Sequence, residues 1–308
     1  MYLVTGGAGF IGSNIVEALL AEGERVRVLD NFANGKAENL SAFGGGIEIL
    51  EGDIRDPETC RRAVTGVSVV LHLAALGSVP RSIADPATSN DVNANGTLNV
   101  LLAARDAGVR RLVYSSSSSV YGENPALPKR EDLATAPISP YAVSKLSGEA
   151  YTRVFARVYG LETVALRYFN VFGPRQRADS PYAAVIPLFM QSALDGQPLM
   201  IDGDGLQSRD FTYVSNVVQA NLLAARTAGV SGSTFNIACG ERHTLLDIVS
   251  ALSEACGSKL EFEHRPTRAG DVRHSQADVS AATEALGYRV SVSFGEGLAR
   301  TWRAFTSR

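Results

Sequence analysis

Cysteine is scarce in this chain, and the little there is forms no pattern. Cys60, Cys239 and Cys256 stand far apart with no C-x-x-C spacing. That offers no disulfide framework and no thiolate metal site, and it fits a reducing compartment. Histidine offers no substitute: His72, His243, His264 and His274 lack ligand spacing, so they read as structural or surface residues and no metal is expected. A surplus of one charge is missing too. The 29 Lys and Arg residues against 32 Asp and Glu leave a formal net charge of −3, which argues against a general polyanion binder. There is no run of ~20 apolar residues of the kind that crosses a bilayer. The chain opens directly into MYLVTGGAG, without a basic stretch leading into an apolar one, so a cytoplasmic protein that spans no membrane is expected. What remains is ordinary globular material, 45% hydrophobic and 20% charged over 308 residues. That length allows one large domain, or one with a smaller partner.

The first thirty residues carry the first motif. A short apolar run, Tyr2 to Thr5, leads into Gly6, Gly9 and Gly12 as G-x-x-G-x-x-G. Ile11, Ile15 and Leu19, with Val16 and Leu20, then recur at helical spacing up to Gly23. RVRVL reads as a strand ending in Asp30. Strand, glycine turn, helix, strand, acid is the order in which a backbone approaches a pyrophosphate and a helix N-terminus stabilises its charge. Asp30 stands at about the offset where a carboxylate hydrogen-bonds a ribose 2′-hydroxyl and repels a 2′-phosphate, which favours NAD over NADP.

The alternation continues. Strands are expected at 47–50, 68–73, 111–115 and 163–170, with a long helix over 90–107. Asp53-Ile54 could flank an adenine or merely start a loop. The serine run Ser115 to Ser119 precedes V-Y-G and reads as the carboxyl end of a strand, the edge that faces ligand in an open parallel sheet. Tyr121 is expected to pack. In PISPYAVSKLSGE, Ser139 suits an N-cap and Pro140 the first helical position, and the pattern runs to Gly160. Tyr141 and Lys145 are four apart and share one face. An ammonium close to the phenol stabilises phenolate and moves its pKa toward neutrality, so that the tyrosine can take a proton from a hydroxyl and return it. Further on, helices are expected over 182–194 and 216–228, turns and short strands over 199–211, and a strand over 235–238. Thr244 with Asp247 reads as a capping box opening a helix to Cys256. Leu260 to His264 reads as a strand. The whole is an α/β chain: a Rossmann-like doubly wound parallel sheet from residues 1 to about 170, with returning segments at about 213–240, and a smaller α/β substrate domain from 171–308.

TGGAGFIG, Asp30-Asn31, the serine strand before VYG, YAVSK and RYFNVFGP together resemble the extended short-chain dehydrogenase/reductase family. Within it the chain is similar to nucleotide-sugar 4-epimerases, and through SVPRSI, LRYFNVFG, YAAVIP, SRDF and GDVRHS to bacterial UDP-N-acetylglucosamine 4-epimerases. The resemblance implies reversible epimerisation at C4 of a UDP-hexose with tightly held NAD. Hydride passes from C4 to NAD, giving a 4-keto sugar, and returns to the opposite face. It implies Tyr141 as the base at O4, Lys145 as the residue lowering its pKa and holding the nicotinamide ribose, and Ser117 as the hydroxyl bridging O4 and the phenol. The implied cofactor contacts are Gly6, Gly9, Phe10, Ile11, Gly12, Asp30, Asn31, Asn34, Gly35, Asp53, Ile54, Leu73, Ala74, Ala75, Asn93, Ser115 and Tyr168, besides Tyr141 and Lys145. The implied substrate contacts are Ser78, Arg81, Ser118, Asn170, Val185 and Ser275, with Arg209 and Arg268 on the diphosphate. A homodimer through the Tyr141 helix and the 90–107 helix is likewise implied.

Two positions separate neighbouring chemistries. Dehydratases and decarboxylases of this family carry an acid just after the hydroxyl residue, where this chain has Ser118 and Ser119. Ser275, four after Asp271, stands where a bulky tyrosine would exclude an N-acetyl group, so N-acetylated UDP-sugars are expected to be accepted. A UDP-glucuronate 4-epimerase remains the alternative on the same scaffold. A non-catalytic NAD sensor or a simple alcohol dehydrogenase remain alternatives of other classes.

Overall fold

The computed structural model describes residues 1–180, 182–267 and 273–307. β1 (Tyr2–Thr5), β2 (Val26–Asp30), β3 (Ile47–Glu51), β4 (Val69–His72), β5 (Arg111–Ser117) and β6 (Glu162–Tyr168) form a sheet with the strand Ser233–Ile237. All neighbours are parallel, in the order Ser233–Ile237, β6, β5, β4, β1, β2, β3. The order reverses between β1 and β4, and a crevice opens there beyond the strands' carboxyl ends.

Adjacent residues of these strands point to opposite faces. Leu3, Val70 and Leu112 pack with Val100, Leu101 and Phe155 on one side. Val4, Leu71 and Val113 pack on the other with Ile15 and Leu19 of the helix Phe10–Ala21 and Val217 of the helix Val214–Arg226. That second core runs on without a break into Ile248 and Leu252 of Leu245–Cys256 and Phe294 and Leu298 of Phe294–Thr306. The carboxyl-terminal lobe therefore shares its apolar interior with the sheet. Three two-stranded pieces complete the lobe's link to the sheet: Val171–Phe172 with Thr212–Tyr213, Ser208–Arg209 with His243–Thr244, and Leu199–Asp202 with Phe262–Arg265.

Two expected helices differ in form. Residues 90–107 do not make one regular α-helix: Pro86–Asn90 leads into a π-helical turn, Asp91–Asn95, and only then into Gly96–Asp106. The helix expected from residue 182 begins at Val185, after Ala184 in an extended conformation. Helices Pro57–Val64, Val79–Ala84, Ser280–Leu286 and Phe294–Thr306 have no counterpart in the sequence reading. None of the described helices is long and apolar enough to cross a membrane.

Candidate active site

The crevice is a cleft of about 1430 Å³, running from the glycine turn to the carboxyl-terminal lobe. At its floor the backbone of Gly6 is left-handed, with φ of 70°. A Cβ on Gly12 would lie 2.2 Å from the Gly6 carbonyl oxygen, so the helix can pack this close only without one. Gly9 caps the helix with no side-chain hydrogen bond. The first-turn N–H groups beside Phe10 and Ile11 thus face the cleft, and an anion suits them. Asp30 closes β2 beside this turn. Its carboxylate accepts from the N–H of Ala8 and of Phe32, both at 2.9 Å. Burial pushes its pKa up, and those backbone donors oppose the rise. Asn31, Asn34, Gly35, Asp53 and Ile54 line the same end. Asp53 is held by Arg55 and by Asn31 at 2.8 Å, and the Arg55 contact brings its carboxyl down to about 2. Leu73, Ala74, Ala75, Ser115 and Tyr168 continue the wall.

Asn93 is the exception among the expected cofactor contacts. It is buried and does not line the cleft. Its amide accepts from the Leu76 N–H at 2.7 Å and donates to the Leu76 carbonyl and the Ser144 hydroxyl. It braces the loop after β4 against the Tyr141 helix.

That helix, Pro140–Tyr159, starts as its sequence suggests: the Ser139 hydroxyl accepts from the Ala142 N–H at 3.1 Å, and Gly160 ends it in a left-handed turn. Gly148 lets it lie against β5, since a Cβ there would come within 2.3 Å of the Tyr114 oxygen. One turn beyond Lys145, Glu149 and Arg167 form a buried two-pronged ion pair at 2.6 and 3.0 Å, and Ser116 donates to the same carboxylate at 2.7 Å. Strands β5 and β6 and the helix are thereby fixed together within one turn of the reacting groups.

Tyr141, Lys145 and Ser117 all reach the cleft. Their electrostatics differ from the expectation. Burial holds the Tyr141 phenol above its ordinary pKa, and the neighbouring Ser117 hydroxyl opposes the rise. Lys145 is brought down to about 7 by its own burial. Its ammonium donates to the Ser115 carbonyl at 2.8 Å and sits 5.1 Å over the Tyr114 ring. The group that eases the phenol's ionisation is a serine, while the lysine donates to the strand beneath it.

The far end of the cleft belongs to the second lobe. Asn170, at a positive φ of 30°, donates to the Asp210 carbonyl at 3.2 Å. Asp210 is fully buried and accepts from the N–H groups of Cys239, Gly240 and Ala277. Desolvation drives its pKa up to about 7. This knot seats Arg209, which lines the cleft with Val185 and Ser275. Ser78 caps Val79–Ala84, and Arg81 donates to Asn34 at 3.1 Å under the Tyr182 ring. Arg268, expected on the diphosphate, lies outside the described residues. Ser119, at the end of the serine run, also lines the cleft, as does Arg177, which the motifs did not single out and which donates to the Asn34 carbonyl at 3.1 Å. An arginine in R-x-R among surface charges gives no sequence signal.

Residues 2–238 match the NAD dependent epimerase/dehydratase family. The chain is 40% identical to the UDP-glucose 4-epimerase of Mycolicibacterium smegmatis over 310 residues, 99% of this chain and 98% of that one. It is similar to the solved UDP-N-acetylglucosamine 4-epimerase of Methanobrevibacter ruminantium in complex with UDP-N-acetylmuramic acid. There the TM-score is 0.95 and the identity 40%, covering 99% of this chain and 98% of that one. It is also similar to the Thermus thermophilus UDP-glucose 4-epimerase in complex with NAD, with a TM-score of 0.90 and 39% identity over 99% and 98% of the two chains. The reversed strand order, the glycine cradle and the Tyr141–Ser117 pair in one cleft accord with these matches, and the chain belongs to the NAD dependent epimerase/dehydratase family.

Proposed function

We propose that this protein interconverts UDP-hexoses epimeric at C4, acting on N-acetylated and neutral sugars, as a cytoplasmic homodimer. One observation carries the reading: Tyr141, Lys145 and Ser117 line the cleft that also contains an uncapped, glycine-built helix N-terminus. The residues fit NAD. The turn excludes side chains where a pyrophosphate would rest, and Asp30 suits free ribose hydroxyls and opposes a 2′-phosphate. When bound, NAD supplies an acceptor for the C4 hydrogen and returns it to the sugar.

The protein's part is placement and proton movement. Tyr141 takes the O4 proton through Ser117 and gives it back. Lys145, anchored on Ser115, would hold the sugar of a bound dinucleotide. Arg209 suits the diphosphate, because guanidinium matches phosphate oxygens in pairs. Ser78, Ser118 and Ser275 make the sugar end small and hydroxyl-lined, which leaves a hexose room to present either face. With serines at 118 and 119 there is no carboxylic acid beside Ser117 to run an elimination. The dimer is supported by a stripe of exposed apolar residues, Val143, Tyr151, Val154 and Val158, along the Pro140–Tyr159 helix. The reducing compartment is supported by the free thiols of Cys60, Cys239 and Cys256.

The test is incubation with UDP-glucose, UDP-N-acetylglucosamine and UDP-glucuronate separately, followed by NMR of the products. Formation of the C4 epimers of the first two is expected. Conversion of the glucuronate alone would overturn the reading of Ser275.

A further inference from the structure

The segment that begins at Pro174 belongs to the second lobe, yet it touches the first lobe at one residue after another. The Pro174 carbonyl accepts from the Asn14 side chain at 3.2 Å, and Arg175 pairs with Glu17 at 2.7 Å. Arg177 donates to the Asn34 carbonyl at 3.1 Å, and Asp179 accepts from the Lys36 ammonium at 3.1 Å. The contacts run in the same order along both stretches of chain, so residues 174–179 are laced across the dinucleotide end of the cleft. The turn they meet, residues 31–36, is seated on the glycine turn: the Lys36 N–H donates to the Ala8 carbonyl at 3.1 Å. A Cβ on Gly35 would come within 2.8 Å of the Ala8 side chain and lift the turn off that seat. Asp179 is the junction of the lacing. Its second oxygen accepts from Arg177 at 2.8 Å, so one carboxylate holds the cation that reaches Asn34 and the cation that follows Gly35. Arg177 and Lys36 keep its carboxyl well below the usual range, and it stays charged at any working pH.

We propose that Asp179 is a positioning residue for the dinucleotide, acting through Lys36 and Arg177 to keep the 31–36 turn drawn against its end of the cleft. The inference rests on reading that end as the NAD site. Asn34 and Gly35 line it from the first lobe and Arg177 from the second, while neither Asp179 nor Lys36 lines it. Whatever this ion pair does for the dinucleotide, it does through those neighbours. A single exposed pair contributes little by itself. This one shares its carboxylate with Arg177 and stands last in the row, so its loss frees the end of the lacing and leaves the lobes' common core untouched. The consequence is kinetic. With the pair intact the turn opens rarely and NAD leaves slowly; with like charges face to face it opens more often.

The experiment loads the parent, Lys36→Glu, Asp179→Lys and the double variant with radiolabelled NAD and follows its loss into excess unlabelled NAD. The Lys36 and Asp179 side chains are 43% and 55% exposed, so a reversed charge stays solvated and the fold is kept. Each single reversal should speed release roughly 3–10-fold at low salt. The double variant restores the pair with its signs exchanged and should release NAD more slowly than either single variant. In about 1 M salt the difference between the parent and the single variants should close, because exposed charges are then screened. A purely steric role for these side chains would give neither the rescue nor the salt effect. Single variants that release NAD at the parental rate would overturn the proposal. So would a double variant that is not slower than both single ones, or a difference that persists in high salt. Release is measured without sugar, so the result holds whether or not the parent makes a C4 epimer. A parent that takes up no NAD would overturn the dinucleotide reading and this proposal with it.

Discussion

In the proposed mechanism Tyr141 loses a proton near neutral pH, from a half-buried site that resists ionising it. The residues that matter here were legible because they are close in sequence: Y-x-x-x-K on one helical face, and a serine four before Tyr121. What the sequence could not carry is direction. Five consecutive serines look alike, and only the folded strand end tells which hydroxyl donates to which. It also could not tell that Lys145 donates a hydrogen bond to Ser115, since that carbonyl belongs to a strand thirty residues away. Asp210 is a similar case, a plain acid in SRDF that folding buries among backbone N–H donors. Its native carboxyl keeps a proton up to about pH 7, while the unfolded chain releases it near the ordinary value of 3.8. The native state therefore binds more protons between those values, and stability from this group falls as pH rises through that window and levels off above it. Asp210→Asn should flatten the decline. Melting temperatures at pH 5 and pH 8 measure this, and an equally steep decline in the asparagine variant would contradict the assignment.

At the level of elements, the helices with strong boundary chemistry matched the reading. Ser139-Pro140 and Gly160 bound one, and the Thr244–Asp247 capping box, formed in both directions, opens another. Two missed helices carried comparable signals. Asp56 before Pro57 caps Pro57–Val64 through the Glu58 and Thr59 N–H groups, and Ser293 caps the last helix through Glu296. The π-turn at Asp91–Asn95 was not legible, because a π-turn changes the hydrogen-bond step and leaves composition unaltered. The glycine cradle is where element geometry and function coincide. Gly12→Ala would place its Cβ against backbone, at 2.2 Å from the Gly6 carbonyl oxygen, so the helix must withdraw from the turn. The variant should purify without NAD and melt at lower temperature. Dinucleotide content per chain, read after denaturation, checks this, and a full complement of NAD would contradict it.

Over the whole molecule, the sheet's reach was only partly visible. A strand at 235–238 was legible, but its partner β6 lies some seventy residues earlier, and periodicity says nothing about such pairings. The continuous apolar core from Val4 to Phe294 and Leu298 makes the two lobes cooperate in holding the cleft. The Pro140–Tyr159 helix serves both ends of the molecule's task, with Tyr141 and Lys145 facing inward and Val154 and Val158 outward, 48% and 62% exposed. Val154→Glu with Val158→Glu should yield a monomer by light scattering that still retains NAD; a dimer of unchanged mass would remove that face as the interface. The central claim is that one carbinol is oxidised and then reduced by its own hydrogen, with Tyr141 carrying the proton. Its most direct measurement follows a UDP-sugar deuterated at C4 through conversion in ordinary water. The epimer should keep its deuterium at C4, and Tyr141→Phe should slow conversion roughly 10²–10⁴-fold. Loss of the label to solvent, or unimpaired conversion by the phenylalanine variant, would contradict it.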